Sequence, residues 1–181
     1  MSTLVTLSAV TNDSILVFRE QDYYFGISPA DFGPPFMLDQ LEIAPTNVSE
    51  AIWYYRDKEP LSEEEAEGIF LHLGALFGLR PIGFGFQGMI FLNELAPGLR
   101  LGLFLDNLTF RVPIWEVPKR LIEVTSSVKL PPELPPRAIR QVISYNRKQV
   151  LLIDPVRLSE VYQLIAPERI RNLLKAYHQE L

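Results

Sequence analysis

Short apolar runs separated by turn-forming residues recur along most of this chain. They are rich in Ile, Val, Phe and Tyr, side chains that suit the pleated surface of a strand. The runs occupy residues 15–18, 23–27, 51–55, 69–73, 89–92, 101–105, 108–112, 121–124, 139–145 and 149–153. Fifteen prolines and ten glycines interrupt the sequence, and proline lacks an amide donor and clashes inside a helix. The pattern predicts an all-β protein, built as one or two small antiparallel barrels.

Two pairs of neighbouring runs have the spacing of a β-hairpin. The first pair, residues 15–18 and 23–27, is separated by a polar stretch at residues 19–22. The second pair, residues 139–145 and 149–153, flanks Asn146, Arg147 and Lys148. Short polar connections between apolar strands are typical of antiparallel pairing, so both pairs are predicted to form hairpins.

Helix signals are few. Ser62 and Glu65 have capping-box spacing, and Gly68 is placed where that short helix could end. Asp154 followed by Pro155 is a start signal for a second short helix.

The C-terminal residues 166–181 form a further amphipathic pattern. We expect this terminal helix to pack on the body of the protein; the alternative is a free helix that binds a partner. The apolar stripe consists of Ile170, Leu173, Leu174, Tyr177 and Leu181.

Composition and the lengths of the apolar stretches exclude several kinds of partner and of chemistry. The 181 residues carry a net charge of −5, which disfavours binding to nucleic acid. The chain has no cysteine, so thiol catalysis and disulfides are excluded. No apolar stretch is long enough for a membrane helix, and the first residues lack the pattern of a signal peptide. We therefore expect a soluble, cytoplasmic protein without membrane insertion.

Candidate chemistry is sparse. Residues 83–88 match a dinucleotide-binding glycine pattern, with Asp106 downstream, but an apolar run follows where that motif requires a helix start. His72 and His178 are too far apart for metal-ligand spacing, and His72 is expected on a strand, facing solvent or hydrogen-bonded near the core. No nucleophile has an identifiable base. The sequence predicts no catalytic residue, no metal site and no cofactor.

The order of the runs resembles that of the CheW family of chemotaxis coupling proteins, over about residues 14–165. Residues 15–27 are similar to the family's first hairpin, and residues 51–57 to a strand that ends in Asn-Leu-Arg-Gly, where Arg56 matches the arginine. Further similar segments are a strand and small helix at residues 69–79, the opening of the second lobe at 99–106, and closing strands at 130–132 and 150–158.

The resemblance implies two small antiparallel β-barrel lobes within residues 12–165, with the chain exchanging lobes near residues 80–100, followed by the helix at residues 166–181. It also implies a scaffold without catalytic activity or cofactor. Its partners would be the regulatory domain of a CheA-type histidine kinase and the cytoplasmic tip of a receptor, which binds in the groove between the lobes.

The same resemblance places a partner-binding site at Arg56, Tyr54, Tyr55 and Asp57. An arginine suits such a groove because its planar guanidinium offers several donors to carboxylates or carbonyls. Alternation along the strand allows only one of the two tyrosine rings to point outward. The alternative for Arg56 is an ion pair within the protein at the end of a strand.

Three departures from the family pattern leave other functions open. They are the Gly33-Pro34-Pro35 sequence, Asp57 in place of a glycine, and the acidic insertion at Glu63–Glu67. One alternative is a divergent relative with a different protein partner. Another is a small-molecule-binding barrel lined by the eleven phenylalanines and seven tyrosines, which an enclosed cavity would reveal.

Overall fold

The computed structural model describes residues 14–32, 35–46, 49–60, 67–79, 88–96, 99–106, 108–117 and 127–161, and Asn172, Lys175, Ala176 and Gln179. Eleven strands dominate these residues, which confirms the predicted mainly-β class. The strands are β1 Ser14–Glu20, β2 Tyr23–Ile27, β3 Phe36–Met37, β4 Leu41–Pro45, β5 Ile52–Asp57, β6 Glu67–His72, β7 Met89–Ala96, β8 Leu99–Leu105, β9 Leu108–Pro113, β10 Ile139–Tyr145 and β11 Lys148–Ile153. Within the continuous described ranges there are two short α-helices, α1 Leu73–Leu76 and α2 Pro155–Val161.

The first sheet contains both predicted hairpins and has the strand order β10-β11-β2-β1-β9. Strands β1 and β2 pair as far as Glu20 opposite Tyr23, so only two residues form the turn. In the β10–β11 turn, Asn146 and Arg147 have φ angles of 47° and 62°. Positive φ at both turn residues matches the right-handed twist of the flanking strands. Strands β11 and β2 join the two hairpins as a parallel pair.

The second sheet has the order β3-β7-β8-β6-β5-β4 and contains one parallel pair, β6 with β8. The chain leaves the first sheet after β2, builds the second sheet, and returns to the first as β9. The return to the first sheet follows Leu105, because β8 still pairs with β6 and β7.

Alternating side chains divide the interior into three clusters. From β1, Leu16 and Phe18 enter a core that contains residues of both sheets, while Ile15 and Val17 pack on the opposite face. We call the first cluster the shared core and the second the first-lobe core. The second-lobe core lies on the far face of the second sheet and contains Leu41, Tyr55, Phe70, Ile90 and Phe104. Among the described residues, each sheet thus contributes side chains to the shared core and to a core of its own on the opposite face.

The start of α2 is as predicted. The Asp154 carboxylate accepts hydrogen bonds from the backbone amides of Val156 and Arg157, both at 3.1 Å, and so caps the helix. Leu158 from this helix is fully buried in the shared core.

Two local predictions are wrong. Residues 130–132 do not form a closing strand: they lie in an irregular stretch that becomes a turn at Pro132, because consecutive prolines have no amides to donate to a ladder. Gly68 does not end a helix but lies within strand β6, where the ring of Tyr55 covers it.

Other predictions fall outside the described residues. These are the strand at residues 121–124, the capped helix start at Ser62 and Glu65, and most of the terminal helix. Within residues 166–181 the four described positions have helical backbone.

Candidate functional site

Arg56 lies near the end of β5, on the face that the second sheet turns towards the first. Ile52, Tyr54 and Arg56 alternate along this face, and Ile52 packs against the shared core. Arg56 is exposed, whereas Tyr54 is only 5% exposed. Arg56 is therefore exposed at one end of a strand face that packs, at Ile52, against the core shared by both sheets.

The charge of Arg56 is not neutralised within the described part of the protein. Its cross-strand neighbours are Glu42 on β4 and Glu67 on β6, yet no ion pair or hydrogen bond joins its side chain to any residue in the described ranges. Glu67 instead accepts a hydrogen bond from the Tyr54 hydroxyl. The structure therefore gives no support to the alternative in which Arg56 forms an internal salt bridge.

The two tyrosines of the predicted site differ from expectation, because neither ring points outward. Tyr54 contacts Glu67 on the face of Arg56, and Tyr55, 2% exposed, belongs to the second-lobe core on the other face. Sequence alternation alone shows that the rings lie on opposite faces. It does not show that both faces of β5 are covered. In the folded protein these residues support the strand that carries Arg56.

Asp57 borders a surface depression of about 440 Å³ at the end of β5. Its Oδ1 atom accepts a hydrogen bond from the Glu59 amide at 2.9 Å, and Lys58 Nζ donates to the Asp39 carbonyl at 2.8 Å. Asp39, Asp57 and Glu59 supply three carboxylates to the lining, with Phe36, Gln40 and Lys58 completing it. The depression therefore offers acceptors to a cationic group, on the face of β5 opposite to that of Arg56.

A second group of ionisable side chains, which the sequence did not reveal, lies where β1 ends beside α1. The Glu20 carboxyl and the His72 ring both approach Gly74, with Glu20 Cδ 3.4 Å and His72 Cε1 3.2 Å from where a side-chain carbon would begin. His72 is 2% exposed, and its Nδ1 atom accepts a hydrogen bond from the Ala75 amide at 3.2 Å. Of the two positions expected for His72, facing solvent or hydrogen-bonded near the core, the structure shows the second.

The environment of Glu20 makes stability depend on pH. Burial, and secondarily the negative charge of Asp106, raises the pKa of the Glu20 carboxyl from its ordinary value of 4.5 to about 7. Below pH 4.5 the group is protonated in both the folded and unfolded states. As the pH rises from 4.5 to about 7, only the unfolded chain ionises readily, so the folded state loses stability over that window.

Glu20→Gln is therefore expected to raise the free energy of unfolding at pH 8 by about 1 kcal/mol, a value reduced for partial solvent screening. At pH 4 it should change the free energy little. Urea unfolding at pH 4, 6 and 8 measures the difference, with Glu42→Gln, an exposed carboxylate on β4, as the control. An equal effect of Glu20→Gln at all three pH values would contradict the raised pKa of the Glu20 carboxyl.

The described residues test the other candidate chemistry only in part. Among the described residues, no three His, Cys, Asp or Glu side chains are arranged to hold a metal ion. Residues 83–87 of the glycine pattern, His178 and residues 63–66 of the acidic run lie outside the described ranges. No α-helix within the described ranges is long and apolar enough to cross a membrane.

The architecture is a two-lobed β fold, in which the described strands of each sheet form a core of their own and a core shared between the sheets. Among solved structures, the chain is similar to the crystal structure of the scaffolding protein TtCheW from Thermoanaerobacter tengcongensis, with a TM-score of 0.57. The match has 17% sequence identity and covers 79% of this chain and 84% of that one. The fold is therefore CheW-like. No family model and no curated protein matches the sequence.

Proposed function

We propose that this chain is a non-catalytic signalling adapter that links a CheA-type histidine kinase to a chemoreceptor or a related sensory partner. The observation that carries the proposal is the CheW-like fold with Arg56 exposed on the β5 face that packs on the shared core. The similar solved structure is that of a scaffolding protein, and this resemblance supports an adapter role for the chain. Binding would take place on outer surfaces, in the cytoplasm.

Arg56 is the expected anchor for the receptor tip. A guanidinium can hold two carboxylate or carbonyl oxygens at once, and it is less strongly hydrated than a lysine ammonium. In the described ranges the Arg56 side chain has no internal partner to give up on binding. The Tyr54–Glu67 hydrogen bond fixes the neighbouring position of the same strand face, so the arginine projects from a well-packed strand.

Asp57, which replaces the family's glycine, adds specificity in this proposal. The depression beside it presents carboxylates, so a partner that carries a lysine or arginine at the matching position would be favoured. Residues 12–165 would act as one adapter domain, with residues 166–181 as its terminal helix. Tyr54 and Tyr55 would contribute indirectly, by holding β5 in place.

Arg56→Ala is expected to weaken binding of a receptor cytoplasmic tip by about 1–3 kcal/mol, that is by about 5- to 150-fold. The melting temperature should stay nearly unchanged, because the side chain is exposed and has no partner in the described ranges. Titration calorimetry with a purified receptor tip measures the affinity. Arg137→Ala removes a second exposed arginine and provides the matched control. Equal affinities for the wild type and Arg56→Ala would exclude Arg56 from the interface.

A further inference from the structure

A group of aromatic rings and cations lies at one end of the first sheet, separate from Arg56. We call it the cation–aromatic patch, and it consists of Arg19, Tyr24, Phe110, Tyr145 and Lys148. Its three rings pack against the first-lobe core. Tyr24 and Phe110 have ring centroids 5.8 Å apart, and Phe110 stacks on Tyr145 at the same distance.

The rings hold the two cations in place. Lys148 Nζ lies 5.2 Å from the centroids of both Tyr24 and Phe110, within the range of a cation–π interaction. The Arg19 guanidinium lies 5.9 Å from the Tyr24 ring, and its Nε donates to the Gln21 carbonyl at 2.8 Å. Both cations thus share one tyrosine ring, which restricts their side chains before any ligand arrives.

Neither cation is neutralised by an ion pair with any residue in the described ranges. Arg140 shows the contrast, since it pairs with Asp31 at 2.8 Å and Asp154 at 3.3 Å. Exposed Arg147, next to Lys148 in the turn, adds a third positive charge.

Carboxylates are also present near the patch, but within the described ranges they form no ion pair with Arg19 or Lys148. Asp22 is exposed in the β1–β2 turn, and Glu116 accepts a hydrogen bond from the Tyr145 hydroxyl, which raises the pKa of that tyrosine. The positive charges of Arg19 and Lys148 at the Tyr24 ring therefore have no paired anion in the described ranges, although the protein as a whole carries a net charge of −5.

We propose that the cation–aromatic patch binds an acidic peptide segment of another protein, with Asp or Glu carboxylates bonded to Arg19 and Lys148. Charge-assisted hydrogen bonds of this kind are among the stronger polar contacts, and the rings supply apolar surface beside them. An extended polyanion such as nucleic acid, or an anionic membrane, would meet the repulsion of the negatively charged molecule over a wide area. A short peptide segment interacts mainly with the positive charges of the patch, because charges more than about 8 Å away are screened at physiological salt.

This surface goes beyond the proposed function, because it lies in the first sheet while Arg56 lies in the second. Its assignment depends on neither a kinase nor a receptor. Failure of one proposal therefore leaves the other intact.

The test uses the full chain and a fluorescein-labelled peptide of alternating Glu and Leu, with an alternating Gln and Leu peptide as the neutral counterpart. Fluorescence anisotropy should show binding of the Glu peptide at least about 10-fold tighter than the Gln peptide, and weaker at high salt. The double variant Arg19→Gln/Lys148→Gln should lose about 10-fold in affinity for the Glu peptide. Lys148→Arg, which keeps the charge, should retain affinity within about twofold.

The matched control is Arg137→Gln/Lys175→Gln, which removes two exposed positive charges elsewhere and should leave binding unchanged. Unfolding midpoints of all variants establish that each protein is folded. The proposal is overturned if the wild type and the patch variant bind the Glu peptide equally, or if the control pair weakens binding as much. It is also overturned if vesicles containing anionic phospholipid bind in a patch-dependent way while the Glu peptide does not.

Discussion

Gly68→Ala is expected to lower the free energy of unfolding by about 2–3 kcal/mol, the cost of overpacking a filled interior. Gly68 and Tyr55 face each other on neighbouring strands, and the ring of Tyr55 lies over the bare glycine. A carbon added to Gly68 would lie 2.5 Å from Tyr55 Oη and 2.7 Å from its Cε1. The ring has little room to move, since Tyr55 is 2% exposed and lies 6.4 Å from the Phe70 ring.

A double-mutant cycle isolates this contact. Tyr55→Leu removes the ring and carries its own cost, but Gly68→Ala introduced into that background should cost much less than in the wild type. Denaturant unfolding of the four proteins gives the coupling free energy between the two positions. Additive costs would mean that the ring does not constrain Gly68, and the packing of the second lobe would need a different explanation.

Much of the fold follows from local sequence. The apolar runs at residues 15–18 and 23–27 form β1 and β2, and those at 139–145 and 149–153 form β10 and β11. These hairpins are predictable because their pairing partners lie next to each other in the chain, and Asn146 readily adopts positive φ.

The pairing of strands that lie far apart in the chain is not predictable from the local sequence. The parallel pairs β11–β2 and β6–β8 join segments far apart in the chain, and no local pattern specifies them. Gly68 also illustrates the difficulty: its sequence position suits a helix end, whereas the structure places it beneath a ring from a neighbouring strand. Residues 130–132 resemble a strand only by comparison with the family, and their prolines prevent one.

The candidate site was predictable in part. Arg56 was selected by its match to the family's arginine, and the structure places it on an exposed strand end. The burial of both Tyr54 and Tyr55 was not predictable, because it depends on which elements cover each face of β5. The environment of Glu20 and the cation–aromatic patch are not predictable from the sequence for the same reason, because their neighbours come from distant segments.

The second prediction with a large expected effect concerns the assembly of a complex between this chain and two partner proteins. An adapter brings together two proteins that otherwise do not associate, so the expected change on adding this chain is from no complex to a complex. The two lobes and their charged strand ends provide separate surfaces, which is what such bridging requires. A chain that binds a small metabolite in one pocket would have no such effect.

The most direct measurement is size-exclusion chromatography of the purified chain with the regulatory domain of a CheA-type histidine kinase and a receptor cytoplasmic tip. The kinase domain and receptor tip alone should elute separately. Adding this chain should produce one complex that contains all three, and Arg56→Ala should release the receptor tip while the kinase domain stays bound. If the chain elutes apart from both proteins, the adapter function is contradicted.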